Sequence, residues 1–100
     1  MATALNDLGL AWKTLGDSKK AIEYYEQALS IDKEIYGKRH PNIAAYLNNL
    51  GVAWEDLGDS KKAIEYLQRA YHILRESYGD EHPHTKVAKA WLNALKKKKD

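Results

Sequence analysis

Apolar residues recur at helical spacing along most of the chain. In the first segment, Leu5, Leu8, Trp12 and Leu15 follow one another at intervals of three and four residues. This spacing places them on one face of an α-helix. No segment shows sustained alternation of apolar and polar residues, so we expect no β-strand. The pattern predicts an all-α protein.

Turn signals divide this apolar pattern into separate helices. Gly16 suits the left-handed geometry that ends a helix, and Asp17 or Ser18 can cap the start of the next one. Gly37 ends the second helix, and Pro41 suits the first position of the third. The same signals return in the second half of the chain, at Gly58, Asp59, Gly79 and Pro83.

The chain repeats itself with a period of 42 residues. Residues 5–46 and 47–88 are identical at 23 of 42 positions, and a third copy begins after Pro83. Such self-similarity is the signature of a repeat protein. We therefore predict one repeat over residues 1–41, a second over 42–83, and a C-terminal capping helix with a lysine-rich tail over 84–100.

Small residues at equivalent positions of the two repeats predict close helix packing. Gly9 and Gly51 would let two helix axes approach where a larger side chain would hold them apart. Trp12 and Trp54 follow three residues later, and we expect them to fill the core and not to contact a ligand.

The spacing of these small and aromatic residues resembles the tetratricopeptide repeat signature. Its carriers are Leu5, Leu8, Gly9, Trp12, Gly16, Ala21, Tyr25 and Ala28, and in the second repeat Leu47, Leu50, Gly51, Trp54, Gly58, Ala63, Leu67 and Ala70. The common unit has about 34 residues, whereas the longer unit here ends in YGxxHP and resembles the variety found in kinesin light chains. The resemblance implies an α-solenoid of about two and a half units, in which five helices form stacked antiparallel pairs and a right-handed superhelix.

The same resemblance implies a non-catalytic scaffold that binds a peptide or a helix of a partner protein in a concave groove. In the family register, the groove-facing positions include Thr3 and Thr14 in the first repeat and Ala45 and Asp56 in the second. From the remaining groove positions we predict a binding site made of Asn6, Leu10, Lys13, Asn48, Asn49, Val52 and Glu55.

Asparagine side chains are the most informative members of this predicted site. An amide both donates and accepts hydrogen bonds, so Asn6 and Asn48 could hold the backbone of an extended peptide. The alternative is that they serve helix–helix contacts or face water. A clamp for a C-terminal carboxylate, known from co-chaperone members, is not expected, because only Asn49 fits its pattern and no Lys or Arg is in place.

The third copy predicts a helix that closes the array. Its apolar residues Val87, Ala88, Trp91, Leu92 and Leu95 form a stripe that we expect to lie on the preceding repeat. The outer side of this helix should then be polar, as a solenoid cap requires for solubility.

The first helix, in contrast, is expected to have an uncovered apolar edge. Its residues Ala4, Leu8 and Ala11 would ordinarily face a preceding repeat. An uncovered apolar edge favours self-association as a homodimer, or a chain cut from a longer array. An engineered or excised repeat with a structural or self-assembling role, and with no ligand of its own, is therefore the alternative to a peptide-binding scaffold.

Composition and charge exclude several other classes of protein. The absence of cysteine excludes disulfides and thiolate chemistry and fits a reducing compartment, so we expect a cytoplasmic protein. The net charge is +2, and Lys96 to Lys99 supply four positive charges, so the rest of the chain carries −2. We expect neither nucleic-acid binding nor, without an apolar run of about 18 residues, a membrane span.

The four histidines do not form a recognisable metal site. His40 and His82 both directly precede a proline that starts a helix, which favours a capping role. His82 and His84 are two residues apart, but a zinc site would need further ligands that are not evident nearby. No catalytic or nucleotide-binding motif occurs, so we expect no metal, no cofactor and no enzymatic activity.

Overall fold

The computed structural model describes residues 2–37 and 40–99, and within them the side chains of residues 4–37 and 40–97. It contains five α-helices: α1 (Ala2–Thr14), α2 (Ser18–Tyr36), α3 (Pro41–Asp56), α4 (Ser60–Tyr78) and α5 (Pro83–Lys99). These ranges contain no strand, which confirms the all-α prediction. The side chains of Thr3, Lys98 and Lys99, considered in the sequence analysis, lie outside the described residues.

The turn between the two helices of a pair has the predicted chemistry. Gly16 has a φ of +88°, a left-handed conformation that a glycine adopts without strain. The side chain of Asp17 caps α2 by accepting a hydrogen bond from the backbone N–H of Lys20 at 3.1 Å, and Asp59 caps α4 in the same way at 3.0 Å. Ser18 is not the cap: it is the first residue of α2 and is buried.

The turn between repeats has a different cap, made by a histidine. His40 Nδ1 accepts a hydrogen bond from the backbone N–H of Asn42 at 3.1 Å, and its ring stacks on Tyr36 with 4.4 Å between ring centres. His82 caps the start of α5 with the same geometry and stacks on Tyr78 at 4.2 Å. The predicted capping role of both histidines is confirmed, and the stack explains why a tyrosine precedes each of them by four residues.

The helices pack in chain order, with α1 against α2, α2 against α3, α3 against α4 and α4 against α5. Helix α3 is therefore covered on two sides, and it supplies the most completely buried part of the core. Its fully buried side chains are Ile43, Ala44, Leu47, Leu50 and Ala53. This continuous core, shared between successive helices, is the arrangement expected of a stacked repeat.

Glycine brings the two helices of each pair together. A Cβ atom at Gly51 would lie 2.7 Å from Cγ of Leu67 and 3.2 Å from the carbonyl oxygen of Ala63. At Gly9, a Cβ atom would lie 2.5 Å from Cε1 of the buried Tyr25 ring. Because real carbon atoms do not approach so closely, only glycine permits these contacts, as the sequence predicted.

The tryptophans that follow these glycines belong to the core. Trp12 and Trp54 are partly buried and pack against the main apolar cluster. Their outer faces are covered by lysine: Nζ of Lys20 lies 4.4 Å from the Trp12 ring centre, and Nζ of Lys62 lies 4.3 Å from that of Trp54. Such cation–π contacts add modest stability at the surface.

One part of the prediction for α5 is wrong. Leu92 and Leu95 are buried as expected, together with Ala88, but Val87 is 53% exposed and Trp91 is 42% exposed. Successive residues of a helix point about 100° apart, so residues 87 and 91 lie beside the face that contacts α4 and not on it. The solvent-exposed side of α5 is therefore partly apolar.

The glycine contact generates a stability prediction. Gly51→Ala should lower the free energy of unfolding by up to about 2 kcal/mol, because overpacking against Leu67 costs about 1–3 kcal/mol and the gain in helix propensity offsets only about 1 kcal/mol of it. Asn93→Ala is the matched control, since Asn93 is the equivalent residue of α5 and is exposed. This control should be neutral or slightly stabilising. Chemical denaturation of both variants measures the difference, and equal stabilities would contradict the role of glycine.

Candidate functional site

An open cavity of about 360 Å³ lies where α3, α4 and α5 meet. Its lining includes the buried apolar residues Ala44 and Ala88 and the half-buried Leu74. The lining also includes the half-buried Asn48 and Asn49 and four exposed residues, Asn42, Tyr78, His84 and Val87. The cavity thus combines an apolar interior with a rim that can form hydrogen bonds, which is the usual composition of a binding site.

Two of the predicted site residues, Asn48 and Asn49, line this cavity. Asn49 also contacts the third predicted asparagine, because its Nδ2 donates a hydrogen bond to Oδ1 of Asn6 at 2.9 Å. This bond joins α3 to α1. Asn6 therefore makes a helix–helix contact, which was the alternative to ligand binding. Binding of a ligand by these amides stays a prediction.

The remaining predicted residues do not line the cavity. Leu10 is 41% exposed on α1, while Lys13 and Val52 are half-buried. Glu55 accepts a hydrogen bond from Oγ of Ser60 at 2.8 Å, which links the end of α3 to the start of α4. The contact of Glu55 therefore supports the turn between the two helices of the second repeat.

An apolar patch on α5 was not predicted from the sequence. We call it the α5 patch, and it consists of Val87, Ala90, Trp91 and Ala94. These side chains line a shallow depression, and Val87 also lines the cavity. The repeat period could have indicated this patch. Shifting the second-repeat positions Ala45, Asn48, Asn49 and Val52 by 42 residues gives the four members of the patch.

The edge predicted for self-association is exposed on α1. Ala4, Leu8 and Ala11 are all accessible, and Leu8 is 45% exposed. Their counterparts one period later are all buried: Tyr46, Leu50 and Ala53. Formation of a homodimer through this edge stays a prediction.

A buried hydrogen bond joins the first repeat to the second. Tyr46 Oη donates to Oδ2 of Asp32 at 2.6 Å, and both residues are more than nine-tenths buried. Burial of the phenol, together with its hydrogen bond to the Asp32 carboxylate and the negative charge of that carboxylate, raises the pKa of Tyr46 to about 12. The phenol therefore remains a neutral donor throughout the ordinary pH range.

The histidines bring no cluster of metal ligands together. The rings of His82 and His84 lie 5.0 Å apart, and His72 is exposed on α4. Within residues 2–37 and 40–99, no three side chains of the His, Cys, Asp or Glu type are placed to hold a metal ion. None of the helices in this part of the chain is long and apolar enough to cross a membrane.

Comparison with known proteins identifies the tetratricopeptide repeat family, whose model matches residues 1–76. No curated protein matches the chain. Among solved structures, the chain is similar to the nearly identical TPR-like repeats assigned to a kinesin light chain in Podosopora anserina, with a TM-score of 0.84 and 22% identity over 97% of this chain. A variant of that protein gives a TM-score of 0.81 and 22% identity over 93% of this chain.

This chain spans less than half of each of those proteins, 46% and 44% respectively. At 22% identity, the likeness shows the fold alone. It confirms a helical repeat of the kind that the 42-residue period predicted.

The bond between Tyr46 and Asp32 generates a pH-dependent prediction. Tyr46→Phe should lower the free energy of unfolding by about 1–3 kcal/mol at pH 8, because a buried carboxylate loses its donor. The folded-state pKa of Tyr46 is about 12, above its ordinary value of 10.0. The stabilisation is therefore complete below pH 10 and is lost as the pH rises through 12. Denaturation of both proteins between pH 8 and pH 12 should show their difference shrinking.

Tyr24→Phe is the control for this experiment. Tyr24 is half-buried, and its hydroxyl forms no side-chain hydrogen bond to another of the described residues. Its loss at pH 8 should cost less than about 0.5 kcal/mol. If the two variants lost the same stability, the Asp32 bond would not be the cause.

Proposed function

Because the chain belongs to the tetratricopeptide repeat family, whose members are generally non-enzymatic scaffolds for protein interactions, we propose that it binds an extended segment of a partner protein. The groove runs along α1, α3 and α5. One observation carries the proposal: the half-buried Asn48 amide lies on the wall of the apolar cavity and forms no side-chain hydrogen bond within residues 2–37 and 40–99.

The neighbouring amides support a role in holding a peptide backbone. Asn6 and Asn49 fix the orientation of one another through their mutual hydrogen bond. That bond uses one donor hydrogen of Asn49 and one acceptor site of Asn6, so each amide keeps further hydrogen-bonding capacity. Together with Asn48, they offer donors and acceptors that match the repeating N–H and C=O groups of an extended chain.

The α5 patch supports a ligand that also carries apolar side chains. Val87 belongs to both the patch and the cavity, so the apolar surface is continuous from one to the other. Contiguous exposed apolar surface marks interaction sites on folded proteins, and a partly exposed tryptophan such as Trp91 is a common centre of binding energy. The amides would then hold the backbone, while the patch contributes affinity through apolar contact.

Selection from a random peptide library displayed on phage tests this function. We expect binders whose affinity falls by about fivefold in Asn48→Ala, since a hydrogen bond is worth about 1 kcal/mol. Trp91→Ala should weaken the same peptides by about tenfold or more, because apolar contact is lost. Isothermal titration calorimetry with the selected peptides measures both effects.

Gln68→Ala is the matched control, because it removes an exposed amide from α4, at a depression lined also by Tyr66 and Arg69 and separate from the groove. It should leave peptide affinity unchanged. The proposal is contradicted if no peptide is selected, or if Asn48→Ala and Gln68→Ala have equal effects. Self-assembly would be favoured instead by a different result, obtained without any bound peptide. The molecular mass of the parent chain in solution would rise with protein concentration, and that of Leu8→Glu would remain the mass of a monomer.

A further inference from the structure

The two junctions between repeats differ in size and polarity at two of three equivalent positions. The junction of the first and second repeats contains Asp32, Tyr36 and Tyr46. One period later, the junction of α4 and α5 contains Leu74, Tyr78 and Ala88. The middle tyrosine is retained, whereas the other two residues change size and polarity.

At the first junction, the protein fills the space with its own ring. Tyr46 is buried, and its hydroxyl reaches the carboxylate of Asp32 on α2. The Tyr36 ring stacks on His40 at the same junction. The Tyr46 ring and the carboxylate that accepts its hydroxyl thus form one buried unit.

At the second junction, the corresponding side chain is only a methyl group, that of Ala88. All three counterparts, Leu74, Tyr78 and Ala88, line the open cavity of about 360 Å³. An apolar cavity on the order of 150 Å³ is enough to hold benzene. The cavity is therefore large enough for a six-membered ring, and it lies where the first junction contains one.

From this comparison we propose that the cavity is a specificity pocket for one aromatic side chain of the bound peptide, and that it prefers phenylalanine to tyrosine. The ring occupies the place that Tyr46 fills at the first junction. The preference arises because Leu74 replaces Asp32, so the carboxylate that accepts the Tyr46 hydroxyl has no counterpart. The inference rests on the proposed function, since the ring is supplied by a partner.

The rim of the pocket suits the backbone of the same residue. Asn48 and Asn49 line the cavity beside its apolar interior. An aromatic side chain that enters between Ala44 and Ala88 would leave its own amide groups at this rim. The side-chain pocket and the backbone-binding amides therefore belong to one continuous site.

Titration of the full chain with single blocked amino acids tests the pocket without a selected peptide. The probes are the N-acetyl amides of phenylalanine, tyrosine and alanine, followed by methyl and amide NMR spectra. The phenylalanine probe should shift the methyl signals of Leu74, Val87 and Ala88. The tyrosine probe should bind at least about fivefold more weakly, because its hydroxyl loses solvent and meets Leu74 where Asp32 would accept it, and the alanine probe should cause no localised shift.

Two variants examine the pocket independently. Ala88→Tyr supplies the ring that Tyr46 supplies at the first junction, so it should retain the fold and abolish the shifts caused by the phenylalanine probe. Leu74→Asp restores an acceptor at the position of Asp32, so it should reverse the preference in favour of the tyrosine probe. Circular dichroism verifies folding, and Gln68→Ala is the control that should bind all three probes as the parent chain does.

The outcomes separate this inference from the proposed function. The pocket is ruled out if the phenylalanine probe binds Ala88→Tyr and the parent chain equally, or if the alanine probe gives the same shifts. Selected peptides that bind the groove but are insensitive to Ala88→Tyr would overturn the pocket and leave the proposed function intact. Probe binding that Ala88→Tyr abolishes, combined with failure to select any peptide, would support the pocket and count against the proposed function.

Discussion

The close contact between the paired helices at Gly9 and Gly51 is the constraint on which the rest of the structure depends. At each contact there is no room for a Cβ atom, because Tyr25 or Leu67 occupies that space. The contact fixes how deeply the second helix of a pair lies against the first. Because it recurs after 42 residues, both pairs have the same internal packing, and the next helix meets an equivalent surface each time. The hydrogen bond between Asn6 and Asn49 depends on this regular stacking of α1 and α3.

The fold could be predicted from the sequence because its signals are local. The left-handed conformation of Gly16 and the cap at Asp17 involve residues only a few positions apart, and the histidine caps are equally short-range. The exposure of Val87 and Trp91 could not be predicted from such local signals, although the repeat period indicates it. Helical spacing shows that residues share a face, but how much of that face is covered depends on the position of α4, which is set by tertiary packing.

The candidate site was harder to predict because its contacts join non-equivalent residues. Comparison at the repeat period aligns Asn6 with Asn48, yet the hydrogen bond of Asn6 is to Asn49, 43 residues away. A bond across the interface between two repeats need not connect equivalent positions, since the two helices present different sides to one another. The α5 patch could have been found from the period alone, because it consists of groove positions shifted by 42 residues. The cavity could not, since its volume depends on the side chains of three separate helices.

The identical and the non-identical positions of the repeats therefore have different roles. The identical positions include the glycines, tryptophans, aspartate caps and histidine caps, and these determine how the helices pair and turn. The substitutions from Asp32 to Leu74 and from Tyr46 to Ala88 leave that framework unchanged. They replace a buried polar bond and its ring with an open apolar cavity. Because a repeat protein fixes its backbone through the identical positions, a change at one junction can create a binding surface there while the neighbouring junction remains a packed core.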